Sequence, residues 1–488
     1  MEVRTDHAFP ATARRIAELS GPRGWPVLGN LLQLDIPHFH EQLEGWAKTY
    51  GPLYRLRMGP RDALVVARPD LISAILRDRP DGWRRLGTLQ AVVHDMGVDG
   101  LFTAEGDSWR QQRRLITAAF TPSHLKHYFP LVKLMTERLK ARLDAAARAG
   151  SWIDLQTTLM RYTIDVTASL AFGIDADTLQ QTHGTLQENL DGLFTVLMRR
   201  MNLPFPLWRY IKLPADHAFD RHLAAVHAAV SSFIQTARGR IAENPALAEQ
   251  PTNLLEAMLT TRDADGRMLS EAEVAGNVFT ILLAGEDTTA NTLAWSLYLL
   301  HMHPQAWRAV VDEADAFLGD GLVPQSIQAA GEFTTIDDCS SESMRLRPVG
   351  PLIYVENNLP AEVDGISLPA GTVVICLMRS GAVDASTAAD AAEFRPSRWR
   401  AAAVAANGPG ADAGNRQLTM ASRPFGAGPR ICPGRYLAAL EMRMALATIA
   451  RNYELIEVGT ESGAPPHERL DFTMSPVGLR MKLRARAS

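Results

Sequence analysis

The stretch Ser270 to His303 constrains this 488-residue chain more than any other. It has the longest run of helical periodicity, and Val278 to Leu300 is apolar enough to suggest a membrane span. Glu286, Asp287 and Asn291 sit in its middle. Each central acid would cost roughly 2.5–3.5 kcal/mol in a bilayer. The run is therefore expected to be a buried helix through the core of a globular domain.

Composition permits such a core: 46% of residues are hydrophobic and 21% are charged. A net charge of -4 points away from nucleic acid. Three cysteines (Cys339, Cys376, Cys432) are too few for a disulfide framework and match no zinc spacing, so a reducing, cytoplasmic setting is expected. Residues 1–20 are polar and mixed in charge, with no apolar signal or spanning segment. They read as a tail before a single domain at 21–488, with no internal repeat and no transmembrane anchor.

Gly21 to Asn30 is rich in turn formers and reads as a stiff lead-in. An early hairpin is expected from Leu53–Met58 and Asp62–Ala67. Trp83 to Asp99 reads as a loop with at most one helical turn. Helices are expected over Phe129–Ala149, Leu155–Phe172, Leu190–Met201 and Ala215–Ala242, with Gly150 and Gly173 as stops. Asn202 to Trp208 interrupts this series with two prolines and large apolar residues that look exposed, as in a substrate lid. Ala401 to Gly414 reads as a low-complexity loop. Short strands at Thr372–Leu377, Tyr453–Val458 and Leu479–Leu483 complete a mostly α chain with small β-sheets.

Chemistry concentrates in a few places. Within the long helix stands Ala284-Gly285-Glu286-Asp287-Thr288-Thr289. A mid-helix glycine would let a flat group lie close to the backbone, and a threonine hydroxyl can bond a carbonyl three or four residues back and open the helix. An acid beside a hydroxyl in apolar surroundings can pass protons inward. The plainer alternative is a kinked helix with a solvent-facing acid. Near the C-terminus, Phe425-Gly426-Ala427-Gly428-Pro429-Arg430-Ile431-Cys432-Pro433-Gly434 sets one cysteine in a glycine-studded turn before a helix-forming run. A sulfur there feels the positive end of the helix dipole and becomes thiolate more easily, and Pro433 suits the first helical turn. The alternative is a small buried hydrophobe. Trp109 and Arg113 share a helix face and can grip a carboxylate, or form a surface pair. Glu342 and Arg345, three apart on a helix, make a weak pair on their own.

The cysteine stretch resembles the haem-binding signature of the cytochrome P-450 family, Phe-Gly-x-Gly-x-Arg-x-Cys-x-Gly, at every fixed position. Trp109/Arg113, Ala284–Thr288, Glu342/Arg345 and Pro396/Arg398 resemble four further family motifs in family order. The resemblance implies the family's triangular prism-like, mostly α fold, with haem b between the long helix and the cysteine helix. It implies Cys432 as the axial iron ligand, and Asp287 and Thr288 as the proton relay. Haem contacts are implied for Trp109, Arg113, Ala284, Gly285, Phe425, Gly426, Arg430 and Gly434. Glu342, Arg345 and Arg398 would form a structural network behind the haem. One position departs: no cation stands near Val355, where family members place one against a haem propionate. Trp109, Arg113, Arg430, His94 and Arg379 are the candidates to replace it.

The implied activity is a haem-thiolate monooxygenase using O2, with electrons from a separate ferredoxin or flavodoxin and its NAD(P)H reductase. The substrate would be a hydrophobic small molecule such as a terpenoid, fatty acid, steroid or aromatic natural product. It would be held by residues within Arg84–Val98, Leu193–Leu207, Phe279–Thr288, Val349–Tyr354 and Phe472–Met474. Alternatives are a peroxide-using haem-thiolate enzyme and a non-catalytic haem sensor or carrier. Arg110, Arg114, Arg423 and Arg435 are expected near the thiolate side, as a docking face for an acidic ferredoxin or as plain surface charges.

Overall fold

The structure, a computed structural model, describes residues 3–4, 13–181, 186–202, 206–262, 266–400 and 413–486. The long apolar run is the helix Glu271–Met302, buried along most of its length. It starts at a capping box, in which Ser270 Oγ accepts from the Glu273 N–H (3.2 Å) and the Glu273 carboxylate accepts from the Ser270 N–H (2.9 Å). Against it lies Leu155–Phe172, buried on almost every face and capped by Asp154 at the Thr157 N–H (2.8 Å). Pro122–Ala149, Pro214–Glu243, Thr334–Leu346 and Arg435–Asn452 complete the helical core. Gly150 and Gly173 end their helices with φ of 59° and 64°, the left-handed region that favours glycine.

The main sheet has five strands in the order Leu53–Met58, Arg61–Val66, Val373–Leu377, Leu352–Asn357, Trp83–Arg85. Only Arg61–Val66 and Val373–Leu377 run parallel. Leu64 and Val66 face one apolar cluster while Ala63 and Val65 face another, which explains an unbroken apolar run in a two-sided strand.

Several expectations change. Trp83–Asp99 is a strand (Trp83–Arg85) followed by a helix (Gly87–Asp95), not a loop. The strand exists because Leu352–Asn357, far away in sequence, supplies its hydrogen-bond partners. The N-terminal tail is not wholly separate: Val3–Arg4 and Arg14–Arg15 pair with Ala361–Val363 and Ile366–Leu368. Within the expected loop at Ala401–Gly414, positions 401–412 lie outside the described residues, and Gly414 belongs to the helix Ala413–Ala421. Of the lid segment, 203–205 lie outside the described residues. Trp208 is buried rather than exposed; Tyr210, Ile211 and Leu213 are the apolar side chains that face outward. Among the described residues, no helix is long and apolar enough to cross a membrane.

Candidate active site

The cysteine loop is a tight turn. The Cys432 N–H donates to the Phe425 carbonyl (2.9 Å), and the Gly426 N–H to the Arg423 carbonyl (2.9 Å). Gly426 and Gly428 have φ of 75° and 71°. A Cβ at Gly428 would stand 2.5 Å from the Leu76 carbonyl oxygen, so the loop lies hard against the helix Pro69–Arg77. Gly434 caps the cysteine helix, which leaves Pro433 just outside the cap rather than in the first turn. Arg113 donates to the Ile431 carbonyl (2.6 Å) and Arg435 to the Cys432 carbonyl (3.0 Å).

Burial pushes the Cys432 thiol above its ordinary range. The backbone N–H groups of Gly434 and Arg435, with the Arg113 and Arg435 charges, pull the other way. The helix-terminus expectation is thus half met: the donors are there, but desolvation outweighs them in the free thiol. A coordinating metal deprotonates a thiol outright, and these N–H groups then have an anion to serve.

In the long helix, Thr288 Oγ1 donates to the Ala284 carbonyl (2.9 Å) as expected, yet the helix runs unbroken through this turn. Ala284 keeps accessible surface in the middle of a largely buried helix, so the turn Ala284–Thr288 is open on that side. Gly285 has a packing reason that the sequence did not show. A Cβ there would stand 2.4 Å from Thr167 Oγ1, so close packing against the helix Leu155–Phe172 by itself calls for glycine.

Asp287 is buried, and accepts from Asn291 Nδ2 (2.5 Å) and from Thr473 Oγ1. Burial lifts its carboxyl to about 6, while those two bonds restrain it. Glu286 counted in the sequence only as an acid that argues against a membrane span. It is fully buried, neither carboxyl oxygen has a partner, and burial with the charges of Asp191 and Asp287 drives its pKa well up. Phe194 stacks on Phe472 (5.8 Å), which meets the edge of Phe102 (5.7 Å). Phe102 lies outside the ranges expected to line a pocket.

Trp109 and Arg113 share the helix Gly106–Ala119 but have separate partners. Trp109 carries the Arg430 guanidinium over its ring at 4.6 Å. Arg430 donates to the Ala104 carbonyl (2.8 Å) and to the Glu105 carboxylate, while its Nε and Nη1 have no partner. Two arginines missed in the sequence stand beside it. Arg79 is 4% exposed, and its Nε and Nη2 have no partner. Arg85 donates from Nε to the Phe102 carbonyl and lies 3.7 Å over the Phe102 ring. Burial and mutual repulsion depress Arg85 and Arg430, the latter to about 10, against one opposing acid, Glu105. His94 faces Asp99 at the surface, and Arg379 is locked between Glu44 and Glu468, so neither joins this group.

Behind the cysteine helix, Glu342 accepts from Arg345 Nε and Nη2 (2.8 Å each), Arg398 Nε (2.9 Å), the Arg395 N–H (2.9 Å) and Trp399 Nε1 (2.9 Å). Burial alone would raise this carboxyl, but the Arg345 bond and charge carry it below the usual range.

A family model described as Cytochrome P450 matches residues 19–483. Pentalenene oxygenase of Streptomyces avermitilis is 28% identical over 96% of this chain and 97% of its own length. Protein LUTEIN DEFICIENT 5, chloroplastic, of Arabidopsis thaliana is 26% identical over 86% of this chain and 69% of its own. A bifunctional cytochrome P450/NADPH--P450 reductase of Gibberella moniliformis is 26% identical over 96% of this chain but 40% of its own. The family's haem fits the residues found here: a cysteine sulfur with backbone donors aimed at it, and buried guanidiniums with unpartnered N–H groups suited to the porphyrin's acid side chains. With 19–483 matched and these groups in place, the chain belongs to the cytochrome P450 family of haem-thiolate monooxygenases.

Proposed function

We propose that Cys432 is the axial ligand of haem b, and that the enzyme oxidises a hydrophobic small molecule with O2 and electrons from a separate carrier. The observation that carries this reading is the Cys432 turn, with the Gly434 and Arg435 N–H groups aimed at the sulfur. Bound haem supplies the oxygen activation, which an axial thiolate favours.

The chain's own residues handle protons and position. Asp287, buried and titrating near 6, can take up and release a proton close to neutral pH. Thr288, held on the Ala284 carbonyl, can present its hydroxyl on the side where Ala284 is accessible. Ala284 and Gly285 would form the wall on that side; Phe425, Gly426 and Gly434 would form the one around the sulfur. The acid–hydroxyl pair supports O2 over the peroxide-using reading, and a sensor or carrier has no use for it. Phe102, Phe194 and Phe472 favour an apolar substrate. A terpenoid is the first class to test, starting with pentalenene, for which one relative is named.

Electrons would come from a ferredoxin or flavodoxin with its NAD(P)H reductase. Of the arginines considered for docking, Arg110 is neutralised by Asp81 and Asp107. Arg423 keeps an unpartnered Nε and is repelled by Arg77.

The test is Thr288→Ala with a ferredoxin, its reductase and a substrate that shifts the haem spin state. Binding should persist while coupled product falls about tenfold or more and peroxide or water rises. Unchanged coupling would remove Thr288 from the relay.

A further inference from the structure

The helix Leu186–Asn202 carries an acid to the aromatic contacts described above. Asp191 stands three residues before Phe194 and so shares its face. Phe194 stacks on Phe472 (5.8 Å), and the next residue, Thr473, donates to Asp287 on the long helix. Asp191 keeps accessible surface, yet the surrounding protein desolvates its carboxyl and lifts it to about 7. A ligand can reach this group, while bulk water serves it poorly.

The surroundings of Asp191 lack positive charge. The charges acting on it are Asp287, Asp154, Asp471 and Glu188, all acids. Asp471 has Arg469 (3.0 Å), whereas among the described residues Asp191, Glu286 and Asp287 have no cationic partner. The buried acceptors here are also short of donors. Gln187, 2% exposed, donates from Nε2 to Asp191, and its Oε1 has no partner. Both carboxyl oxygens of Glu286 are unpartnered as well. Acceptors left without donors are costly, and neighbouring carboxyls are relieved by a positive charge. Phe102 and Phe472, each partly exposed, add ring faces that attract a cation and pack apolar surface.

Deepening the substrate reading above, on which this rests, we propose that the substrate is an apolar molecule bearing a protonated amine. Asp191 takes the ammonium, Gln187 Oε1 accepts from one of its N–H groups, and Phe102 and Phe472 hold the apolar body. A terpenoid or aromatic skeleton with a basic nitrogen fits these groups. A fatty acid does not, because its carboxylate would add an anion to the acids already there.

The test is equilibrium dialysis of the holoprotein against two matched probes. One is trimethyl(4-phenylbutyl)ammonium, whose nitrogen cannot ligate iron; the other is its neutral isostere, with a tert-butyl group in place of the trimethylammonium. Wild type should bind the cation about tenfold or more tightly than the isostere. Asp191→Asn should weaken the cation about tenfold and leave the isostere within about twofold, while Asp191→Glu should keep the preference. The wild-type comparison stands even if a variant does not fold. Equal or tighter binding of the isostere by wild type overturns the proposal. So does a preference that survives Asp191→Asn; if coupled turnover falls in that variant, Asp191 supplies protons instead of anchoring substrate. The ferrous–CO spectrum of wild type, recorded in parallel, reports on the thiolate assignment separately.

Discussion

The fold holds two clusters of buried arginine, and they are satisfied in opposite ways. Around Glu342, the chain answers its own cations. Arg345 has Glu342, the Ala382 and Ala391 carbonyls (2.6 Å each) and the Glu393 carbonyl (3.0 Å). Arg398 has Glu342, Asn415 (2.7 Å) and the Asp390 carbonyl (3.1 Å). Around Trp109, Arg79 and Arg430 stay partly unpartnered behind a single carboxylate. Residue type and depth are alike, so what separates a structural cluster from a binding cluster is whether the chain itself completes the hydrogen bonding.

The largest effect should come from breaking the saturated cluster. Glu342→Ala strands two guanidiniums in the core and should cost about 3–5 kcal/mol in a denaturant titration. A loss under about 1 kcal/mol would erase the contrast.

Asp287 stands between the two cases, hydrogen-bonded but with no cation on it. Its folded pKa, about 6, lies above the ordinary 3.8, so the folded state holds an extra proton between those values. Stability should therefore fall as pH rises from about 4 to about 6, and stay lower above that. Asp287→Asn should remove this slope and gain roughly 2–3 kcal/mol at pH 7. A pH profile identical to wild type would show that Asp287 stays ionised when folded.

The arginines around Trp109 should respond in the opposite sense from the Glu342 cluster. Once haem is removed, Arg79→Met exchanges an incompletely paired buried charge for an apolar chain, and should stabilise the apoprotein by about 1–2 kcal/mol while speeding haem loss from the holoprotein. Destabilised apoprotein would mean Arg79 is structural after all. The smallest effect belongs to neither cluster. Arg484, paired with Glu454 at the exposed end of a strand, should change stability by less than about 0.5 kcal/mol on replacement by Ala.

Local signals were readable in the sequence and non-local ones were not. The start of the long helix at Ser270, the stops at Gly150 and Gly173, and the cysteine turn are each written within a few residues. Arg85 was hidden because its importance depends on strand partners more than 260 positions away, at Leu352–Asn357. Arg79 and Phe102 gain their roles from what packs on them. The packing constraint on Gly285 was hidden for the same reason: its neighbour Thr167 comes from another helix. Glu286 sits on the side of its helix away from Ala284, where an acid would pass for a surface residue if the surrounding helices were unknown.

The most direct test of the central assignment is the ferrous–CO spectrum of wild type beside Cys432→Ser. Ligation by Cys432 predicts the red-shifted Soret band of a thiolate ligand in wild type and its loss in the variant. The same band in Cys432→Ser would contradict the assignment of Cys432 as the iron ligand.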